Sequence, residues 1–462
     1  MLRLLIGFSL IWLNTECYSL EFESVDSTHF HISNEGGSVK DVEITHVYKE
    51  NIPRLLFRHD IIKQRRILPS HIHLVVFVVR QRNLEELSRI LHDVSEPSSP
   101  NYGRHWSGQT VANLTANPQA SAAVISYLSL NGASIVSVTP NSEYITANAT
   151  VAVWEKMFRA EFYAFHQTIN SRIEEFVRTE QYSIPMELNP HVESVFNTIQ
   201  MPRRLFGELR ASVPIETFDQ NNNTKKFANA GTVTPAKLKS FYNITTQGSS
   251  QSSQAIFATI QQYHSPADLK LFQADNFLYS LPVIKNIGDY SSDNVCKADP
   301  NSCAEGNLDV QYIMSTSQLS PTTYWYTDSA FTDWLIAVAA SIKPPLVFSI
   351  SYGAEEPSMS NSEMNAFNTQ MMKLGIMGIS VLAASGDDGA NSRSARASTS
   401  GVKACGYTPI FPASSPYVTT VGATSVRFYT INNTFLTNYF NFLEVLLLAD
   451  FCTFNPILRF EY

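Results

Sequence analysis

Residues 381–390 read VLAASGDDGA, and this stretch indicates the class of fold. Its apolar start, 381–384, is bounded by a Ser-Gly turn, as a buried parallel strand of an open sheet would be. Gly386 permits a tight turn that leaves Asp387 and Asp388 at the carboxyl end of the strand, where open α/β sheets form binding crevices. A carboxylate there is either a solvated loop charge or a carboxyl kept protonated to donate a hydrogen bond to an oxyanion.

Composition narrows the class of function. A length of 462 residues indicates two or three domains, and 44% hydrophobic residues is a globular content. Only 16% of the residues are charged, against the usual ~25%, which favours an enzyme of the secretory route or of an acidic compartment. The formal net charge of -8 argues against nucleic acid as a partner.

The N-terminus predicts a signal peptide over residues 1–19. Arg3 precedes the apolar run 4–13, which is too short to span a membrane, and small residues follow it. The alternative is a buried N-terminal helix. No other stretch reaches a spanning length, so we expect no membrane partner. A secreted, extracellular or lysosomal glycoprotein is favoured by five Asn-X-Ser/Thr sequons, at Asn113, Asn148, Asn222, Asn243 and Asn432.

Cysteine spacing predicts one small loop and no metal site. Cys17 is expected to leave with the signal peptide or to lie at its edge. Cys296 and Cys303 are close enough to close a loop in an oxidising compartment, whereas Cys405 and Cys452 have no evident partner. No Cys/His spacing resembles a zinc site.

An α+β module is predicted over residues 20–200. Its first strand is 71–80, followed by a helix that Asn83 caps with Glu86 in the capping-box position. A second helix over 119–130, a short one over 151–158 and strands that include 175–184 complete a pattern typical of split βαβ folds.

The pattern of predicted elements changes at residue 233. Residues 201–232 are polar and twice dibasic, which indicates either an ordinary linker or a processing site. Beyond them strands alternate with helices, including a helix over 363–374 ended by Gly375. This alternation predicts a doubly wound parallel sheet.

Glu305 and Asp309 form the second candidate site. Four residues apart on a helix, they lie on one face near its start. Neighbouring carboxylates repel, so the pair titrates as a unit and can act as a general base with an orienting acid. The alternative is that two acids favour a helix N-terminus.

Several motifs in one order resemble the sedolisin family of serine-carboxyl peptidases, from about residue 55 to 425. They include LVVFVVRQRNLEELSRILHDVSEPSSPNYGRHWS, TPAKLKSFYNI, EGNLDVQYIMS, VFSISYGAEE, AASGDDGA and FPASSPYVTTVGAT. The resemblance implies a subtilisin-like α/β fold preceded by a ferredoxin-like pro-domain. It also implies that Glu305 is the general base for a serine nucleophile, that Asp309 is its partner and that Asp387 donates to the oxyanion.

The chain departs from that family pattern at its C-terminal end. The family places its serine in Ser-Gly-Thr-Ser, which does not occur here, and its calcium site lies further on. We therefore expect no nucleophile, no metal site and no cofactor in this chain, a partial catalytic domain over 233–425 and a divergent tail over 426–462.

Two functions follow from the resemblance and the departure. One is a secreted acid peptidase zymogen that removes tripeptides or cuts within peptide and protein substrates, inactive as this chain stands. The other is a non-catalytic product whose pro-domain inhibits a full-length relative or helps it to fold.

Overall fold

The computed structural model describes twelve segments of the chain. They are residues 29–32, 40–43, 45–51, 61–169, 172–201, 215–218, 225–228, 233–328, 331–387, 408–422, 429–431 and 434–436. The predicted signal peptide lies outside them, as do the basic pair Arg203 and Arg204, Cys405 and Cys452, whereas the second basic pair, Lys225 and Lys226, lies inside. None of the described helices combines the length and the apolar character that a membrane span requires.

The described residues form ten α-helices and twenty-three strands. The helices are Leu84–Ser95 (α1), Gly108–Thr115 (α2), Pro118–Leu130 (α3), Val151–Phe158 (α4), Pro235–Phe241 (α5), Pro266–Asp275 (α6), Asp293–Ala298 (α7), Ala304–Thr316 (α8), Phe331–Ala340 (α9) and Asn361–Ile376 (α10). The strands are His29–Ile32 (β1), Lys40–Glu43 (β2), His46–Asn51 (β3), Ile61–Arg66 (β4), Ile72–Val79 (β5), Ser134–Val138 (β6), Tyr144–Thr150 (β7), Phe162–Ile169 (β8), Arg172–Thr179 (β9), Gln181–Pro185 (β10), Val192–Phe196 (β11), Ile215–Phe218 (β12), Lys225–Ala228 (β13), Gln254–Ala258 (β14), Lys285–Ile287 (β15), Thr322–Tyr326 (β16), Val347–Ile350 (β17), Ala354–Glu355 (β18), Ser380–Ala384 (β19), Ile410–Phe411 (β20), Thr419–Val421 (β21), Tyr429–Ile431 (β22) and Thr434–Leu436 (β23).

The N-terminal module is built on a four-stranded antiparallel sheet in the order β11-β5-β7-β6. Helices α3 and α4 pack on one face of it, where Val124, Trp154 and Phe158 meet the alternate residues Phe77 and Ile145. A second antiparallel sheet, β4-β8-β9, adds to the same core.

The C-terminal module is a six-stranded sheet in the order β15-β16-β14-β17-β19-β21, and every neighbouring pair is parallel. All five residues of β14 are buried. Ala255 and Phe257 face α9 and α10, whereas Ile256 and Ala258 face α6 and α8. Helices therefore cover both faces, as the alternation of strands and helices predicted.

The two modules share a buried interface along α9 and α10. The face of the N-terminal sheet opposite α3 and α4 joins the apolar cluster that contains α9 and α10, through Val76, Val78, Tyr144 and Phe196. At its margin Lys373 Nζ lies 3.0 Å from Glu143 Oε1, with the two side chains 5% and 4% exposed. Burial of both apolar side chains and charges makes this an extensive interface.

Most predicted elements are confirmed, with differences at their ends. Strand β5 and helices α3 and α4 match their predictions within one residue. The predicted strand 175–184 is instead divided between β9 and β10, with Glu180 between them. Strand β16 was not predicted, although its TTYWY sequence is rich in β-forming residues.

Helix α1 begins directly after Asn83, as predicted, but the predicted capping hydrogen bond is wrong, and so is the predicted end of the helix over 363–374. Asn83 has φ 55°, makes no capping hydrogen bond to α1 and donates from Nδ2 to the Leu114 carbonyl instead. Helix α10 continues through Gly375, where a Cβ would lie 2.6 Å from Leu91 Cδ1, so this glycine permits close packing against α1. The helix ends before Gly378, whose φ of 79° suits the left-handed residue that follows a helix.

Candidate active site

Helix α8 carries Glu305 in its first turn and Asp309 one turn later. The Cys296–Cys303 disulfide, as the spacing predicted, closes the loop just before this helix. The Glu305 backbone N–H donates to Gln262 Oε1 at 3.2 Å, which satisfies one of the groups that a helix N-terminus leaves unpaired. The start of α8 is therefore held against the loop after β14.

Gly306 lets this helix approach that loop closely. A Cβ at Gly306 would lie 2.3 Å from the Tyr263 carbonyl oxygen and 2.6 Å from the Tyr324 hydroxyl. No side chain fits in that space, so glycine is required between the two acids. The close approach seats the pair at the carboxyl edge of the parallel sheet, beside the ends of β14 and β16.

The two acids are buried to different depths. Glu305 is 7% exposed. Asp309 is partly exposed as a residue, yet its Oδ2 is inaccessible and has no hydrogen-bond partner among the described residues. Its Oδ1 accepts a hydrogen bond of 2.6 Å from Ser351 Oγ, at the end of β17. Asp309 is thus held by one donor and otherwise surrounded by protein.

Burial raises the pKa of both carboxyls. For Glu305 the negative charges of Asp309 and Asp387 raise the pKa further, and the Ser351 hydroxyl opposes the rise. For Asp309 the Ser351 hydrogen bond opposes the effect of burial. Two acids that share a buried site in this way hold at least one proton at a pH where an exposed carboxyl has lost it.

Two tyrosines surround the pair with low-polarity protein. The Tyr324 hydroxyl donates to the Gln262 carbonyl at 2.9 Å, whereas the Tyr352 hydroxyl is buried with no partner among the described residues. Burial, together with the charges of the two acids, raises the pKa of both phenols. Both tyrosines therefore remain neutral, and neither places a phenolate charge beside the acids.

Asp387 follows β19 and is exposed. Gly386 before it has φ 92°, the backbone conformation that the Ser-Gly turn predicted. The charge of Asp387 acts on Glu305, so the structure brings all three predicted acids to one edge of the sheet. Residues 388–407 lie outside the described residues, and the choice between a solvated charge and an oxyanion donor stays a prediction.

The sequons occupy different environments. Asn113 is exposed on α2, and Asn243 is exposed after α5. Asn148 is partly buried within β7, where strands pair on both sides at Leu74 and Ser134. Asn222 and Asn432 lie outside the described residues.

Sequence reasoning missed Ser351, Gln262 and the two tyrosines. Ser351 carried a usable signal, because it ends a predicted strand that pairs with the strand before Asp387. Parallel strands bring their carboxyl ends together, so polar residues that follow neighbouring strands are expected to meet. Within the part of the chain that the structure describes, no cluster of three or more His, Cys, Asp or Glu side chains is placed to hold a metal ion.

Comparisons with known proteins show which proteins the chain resembles. Residues 60–201 match the activation domain of pro-kumamolisin. The chain is 30% identical over 377 residues to tripeptidyl-peptidase 1 of Homo sapiens, across 76% of this chain and 62% of that protein. It is also 30% identical over 400 residues to tripeptidyl-peptidase 1 of Bos taurus, across 79% of this chain and 65% of that protein. By these matches the chain is similar to the sedolisin family of serine-carboxyl peptidases.

A solved sedolisin is a more distant relative. Pseudomonas sedolisin, a serine-carboxyl proteinase complexed with two molecules of pseudo-iodotyrostatin, is 22% identical with a TM-score of 0.34, over 43% of this chain and 55% of that chain. At this TM-score the likeness adds no argument about the fold. The chain spans between 61% and 65% of the length of the tripeptidyl-peptidase 1 relatives that it matches.

Proposed function

We propose that this chain carries the pro-segment and part of the catalytic domain of a secreted acid peptidase zymogen of the sedolisin family. The observation that carries the proposal is the buried pair Glu305 and Asp309 at the carboxyl edge of a parallel sheet. The substrates are peptides or proteins, from which the enzyme removes tripeptides or which it cuts internally. Nucleic acid and membranes are not proposed as partners, and the compartment is extracellular or lysosomal.

In the proposed reaction a serine Oγ attacks the substrate carbonyl carbon, and its proton passes to Glu305 while Asp309 orients that carboxylate. Asp387 donates a hydrogen bond to the oxyanion. The C–N bond breaks as Glu305 returns the proton to the leaving amine, and water hydrolyses the acyl ester by the reverse sequence. Because Ser-Gly-Thr-Ser does not occur in the 462 residues, we propose that the chain as given is inactive.

The fold proposal is subtilisin-like for residues 233–425 and ferredoxin-like for residues 20–200, with residues 201–232 as a processing linker. Support for the ferredoxin-like module comes from the strand order β11-β5-β7-β6, in which β7 lies antiparallel between β5 and β6. That arrangement is a split βαβ unit. Support for the subtilisin-like module comes from the all-parallel sheet with helices on both faces.

The alternative, a non-catalytic chain that inhibits or helps to fold a relative, is less supported. Similarity to tripeptidyl-peptidase 1 covers 76% of the chain, well beyond the activation domain at 60–201. A chain kept only for its pro-domain has no need of the buried acid pair.

The test uses a longer form of the chain that carries the serine. Glu305→Gln and Asp309→Asn are each expected to lower kcat for a tripeptidyl amide about 10²–10⁴-fold, the usual contribution of general acid–base catalysis. Asp275→Asn, at an exposed carboxylate at the end of α6, is the control and should change kcat less than twofold. Full activity of Glu305→Gln, or covalent labelling of the present chain by an acyl-directed inhibitor, would contradict the proposal.

A further inference from the structure

Among the described residues, Ser351 is the one whose side-chain hydroxyl donates a hydrogen bond to the carboxyl pair. It directly follows β17, a central strand of the parallel sheet, whereas Asp309 lies on α8, 42 residues earlier in the chain. Its Oγ donates to Asp309 Oδ1 at 2.6 Å, the short distance typical of a hydroxyl bound to a carboxyl group. The contact joins the sheet directly to the helix that carries both acids.

This contact makes the two oxygens of Asp309 different. Oδ1 accepts from Ser351, whereas Oδ2 is buried with no partner among the described residues. A buried carboxyl oxygen without a donor is costly when it is charged, but it can hold a proton and donate it to a neighbouring carboxylate. Glu305, one turn earlier on the same helix, is the neighbouring carboxylate.

The other titratable groups that face Asp309 do not supply that donor. They are Glu305 on α8, Tyr324 on β16 and Tyr352 after β17, and Asp387 faces Glu305 from beyond β19. The Tyr324 hydroxyl already donates to the Gln262 carbonyl, and the Tyr352 hydroxyl makes no hydrogen bond to Asp309. Within the described residues Ser351 is therefore the one side-chain donor to the pair that is fixed by geometry.

We propose that Ser351 is a positioning residue that orients Asp309. The proton shared by the pair then sits on Asp309 Oδ2 and forms a hydrogen bond to the Glu305 carboxylate. The catalytic meaning of Ser351 rests on the proposed peptidase function, whereas its effect on the proton does not. Ser351 is not the nucleophile, because its hydroxyl proton is donated to Asp309 Oδ1. The Glu305 carboxylate then has a free oxygen to accept the proton of the attacking serine.

The direct test measures the proton on the present chain, without any need for activity. Infrared difference spectra against pH report the carboxyl stretch of the pair, identified by its loss in Glu305→Gln and Asp309→Asn. Ser351→Ala removes a donor that favours the charged form, so the titration should move upward by about one pH unit. Ser351→Thr keeps the hydroxyl and should leave the midpoint near that of wild type, and Ser351→Cys should fall between them.

The matched control is Ser349→Ala, at a hydroxyl two residues earlier in the chain, inside β17. It should leave the midpoint unchanged. An unchanged midpoint in Ser351→Ala, or an equal shift in Ser349→Ala, overturns the proposal. Should Ser351→Ala fail to fold, the titration midpoints of wild type, Ser351→Thr and Ser351→Cys decide. A merely structural role would not make the midpoint follow the strength of the hydrogen-bond donor.

Activity separates this inference from the proposed function. In an active longer form, the acid limb of kcat/KM for Ser351→Ala should shift upward by the same unit, with KM little changed. A shifted titration in a form without peptidase activity would keep the role of Ser351 and remove the proposed function. Labelling of Ser351 itself by an acyl-directed inhibitor would make it a nucleophile and overturn the positioning role.

Discussion

Two of the buried carboxyl sites differ in the group beside them, which is a lysine in one site and another acid in the other. At the interface between the modules, Glu143 pairs with Lys373 at 3.0 Å and also accepts from the Thr139 hydroxyl at 3.0 Å. At the sheet edge, Glu305 is paired with another acid, Asp309, and no cation is among the groups that act on either carboxyl. A buried carboxylate with a lysine is neutral as a pair, whereas a buried acid beside another acid must hold a proton.

This difference separates a structural site from a chemical one. The interface pair joins residues 230 positions apart, and burial lowers the pKa of Lys373 while Glu143 opposes that change. The acid pair lies within one helix and contributes nothing to joining the modules. Perturbed carboxyls without a compensating cation are typical of sites that move protons.

The largest effect on stability is expected from breaking the interface pair. Lys373→Met keeps the length and apolar stem of the side chain but leaves Glu143 buried without its cation, which typically destabilises by about 3–5 kcal/mol. The measurement is urea unfolding at neutral pH. The deficit should shrink as the pH falls, because a protonated carboxyl costs less to bury.

The control for that change is the double variant Glu143→Gln with Lys373→Met. It carries no unpaired charge, so most of the lost stability should return. A Lys373→Met variant as stable as wild type would show that the pair is hydrated in solution and does not hold the modules together.

The sequence indicated the acid pair but not the interface pair, for a physical reason. Glu305 and Asp309 are four residues apart, so helical geometry alone brings them to one face. Glu143 and Lys373 meet only after the N-terminal sheet packs on α10, and no local pattern carries that information. The same holds for Ser351, whose contact with Asp309 requires the order of strands in the sheet.

Local signals also misassigned the roles of two residues near helix ends. Asn83 has the residue type of a helix cap, but its side chain is used by the Leu114 carbonyl on another segment. Gly375 has the residue type of a helix end, but close packing against Leu91 requires a glycine inside the helix. In both cases a tertiary contact determined the use of a residue whose local preference pointed elsewhere.

A smaller, opposite effect is expected at the acid pair. Burial and the charges of Asp309 and Asp387 raise the pKa of Glu305. A carboxyl whose folded-state pKa is raised stabilises the fold below its unfolded pKa, near about pH 4, and loses that contribution as the pH rises through the folded pKa. Glu305→Gln has no charge to bury, so it should be more stable than wild type at neutral pH by about 1–3 kcal/mol.

That gain must depend on pH if the account is right. Urea unfolding of wild type and Glu305→Gln should converge below about pH 4, where the wild-type carboxyl becomes protonated in the unfolded state as well as in the folded state. A gain of the same size at every pH would instead mean that glutamine packs better and that no proton is involved. Since the same variant should lose activity, a rise in stability would mark Glu305 as a residue retained for chemistry.

The smallest expected effect compares two buried tyrosine hydroxyls, one in each module. Tyr182 and Tyr352 are each 1% exposed. The Tyr182 hydroxyl donates to Glu50 Oε2 at 3.1 Å and accepts from the Val195 N–H at 2.9 Å, whereas the Tyr352 hydroxyl, beside the acid pair, has no partner among the described residues. Tyr182→Phe removes two hydrogen bonds and should destabilise by about 1–2 kcal/mol, because a typical net contribution is about 1 kcal/mol each. Tyr352→Phe removes only an unpaired polar atom, so the free energy of unfolding should stay the same or rise slightly. An equal loss in both variants would show that Tyr352 does bind a partner, and the acid pair would then lie in a more polar site than its neighbours indicate.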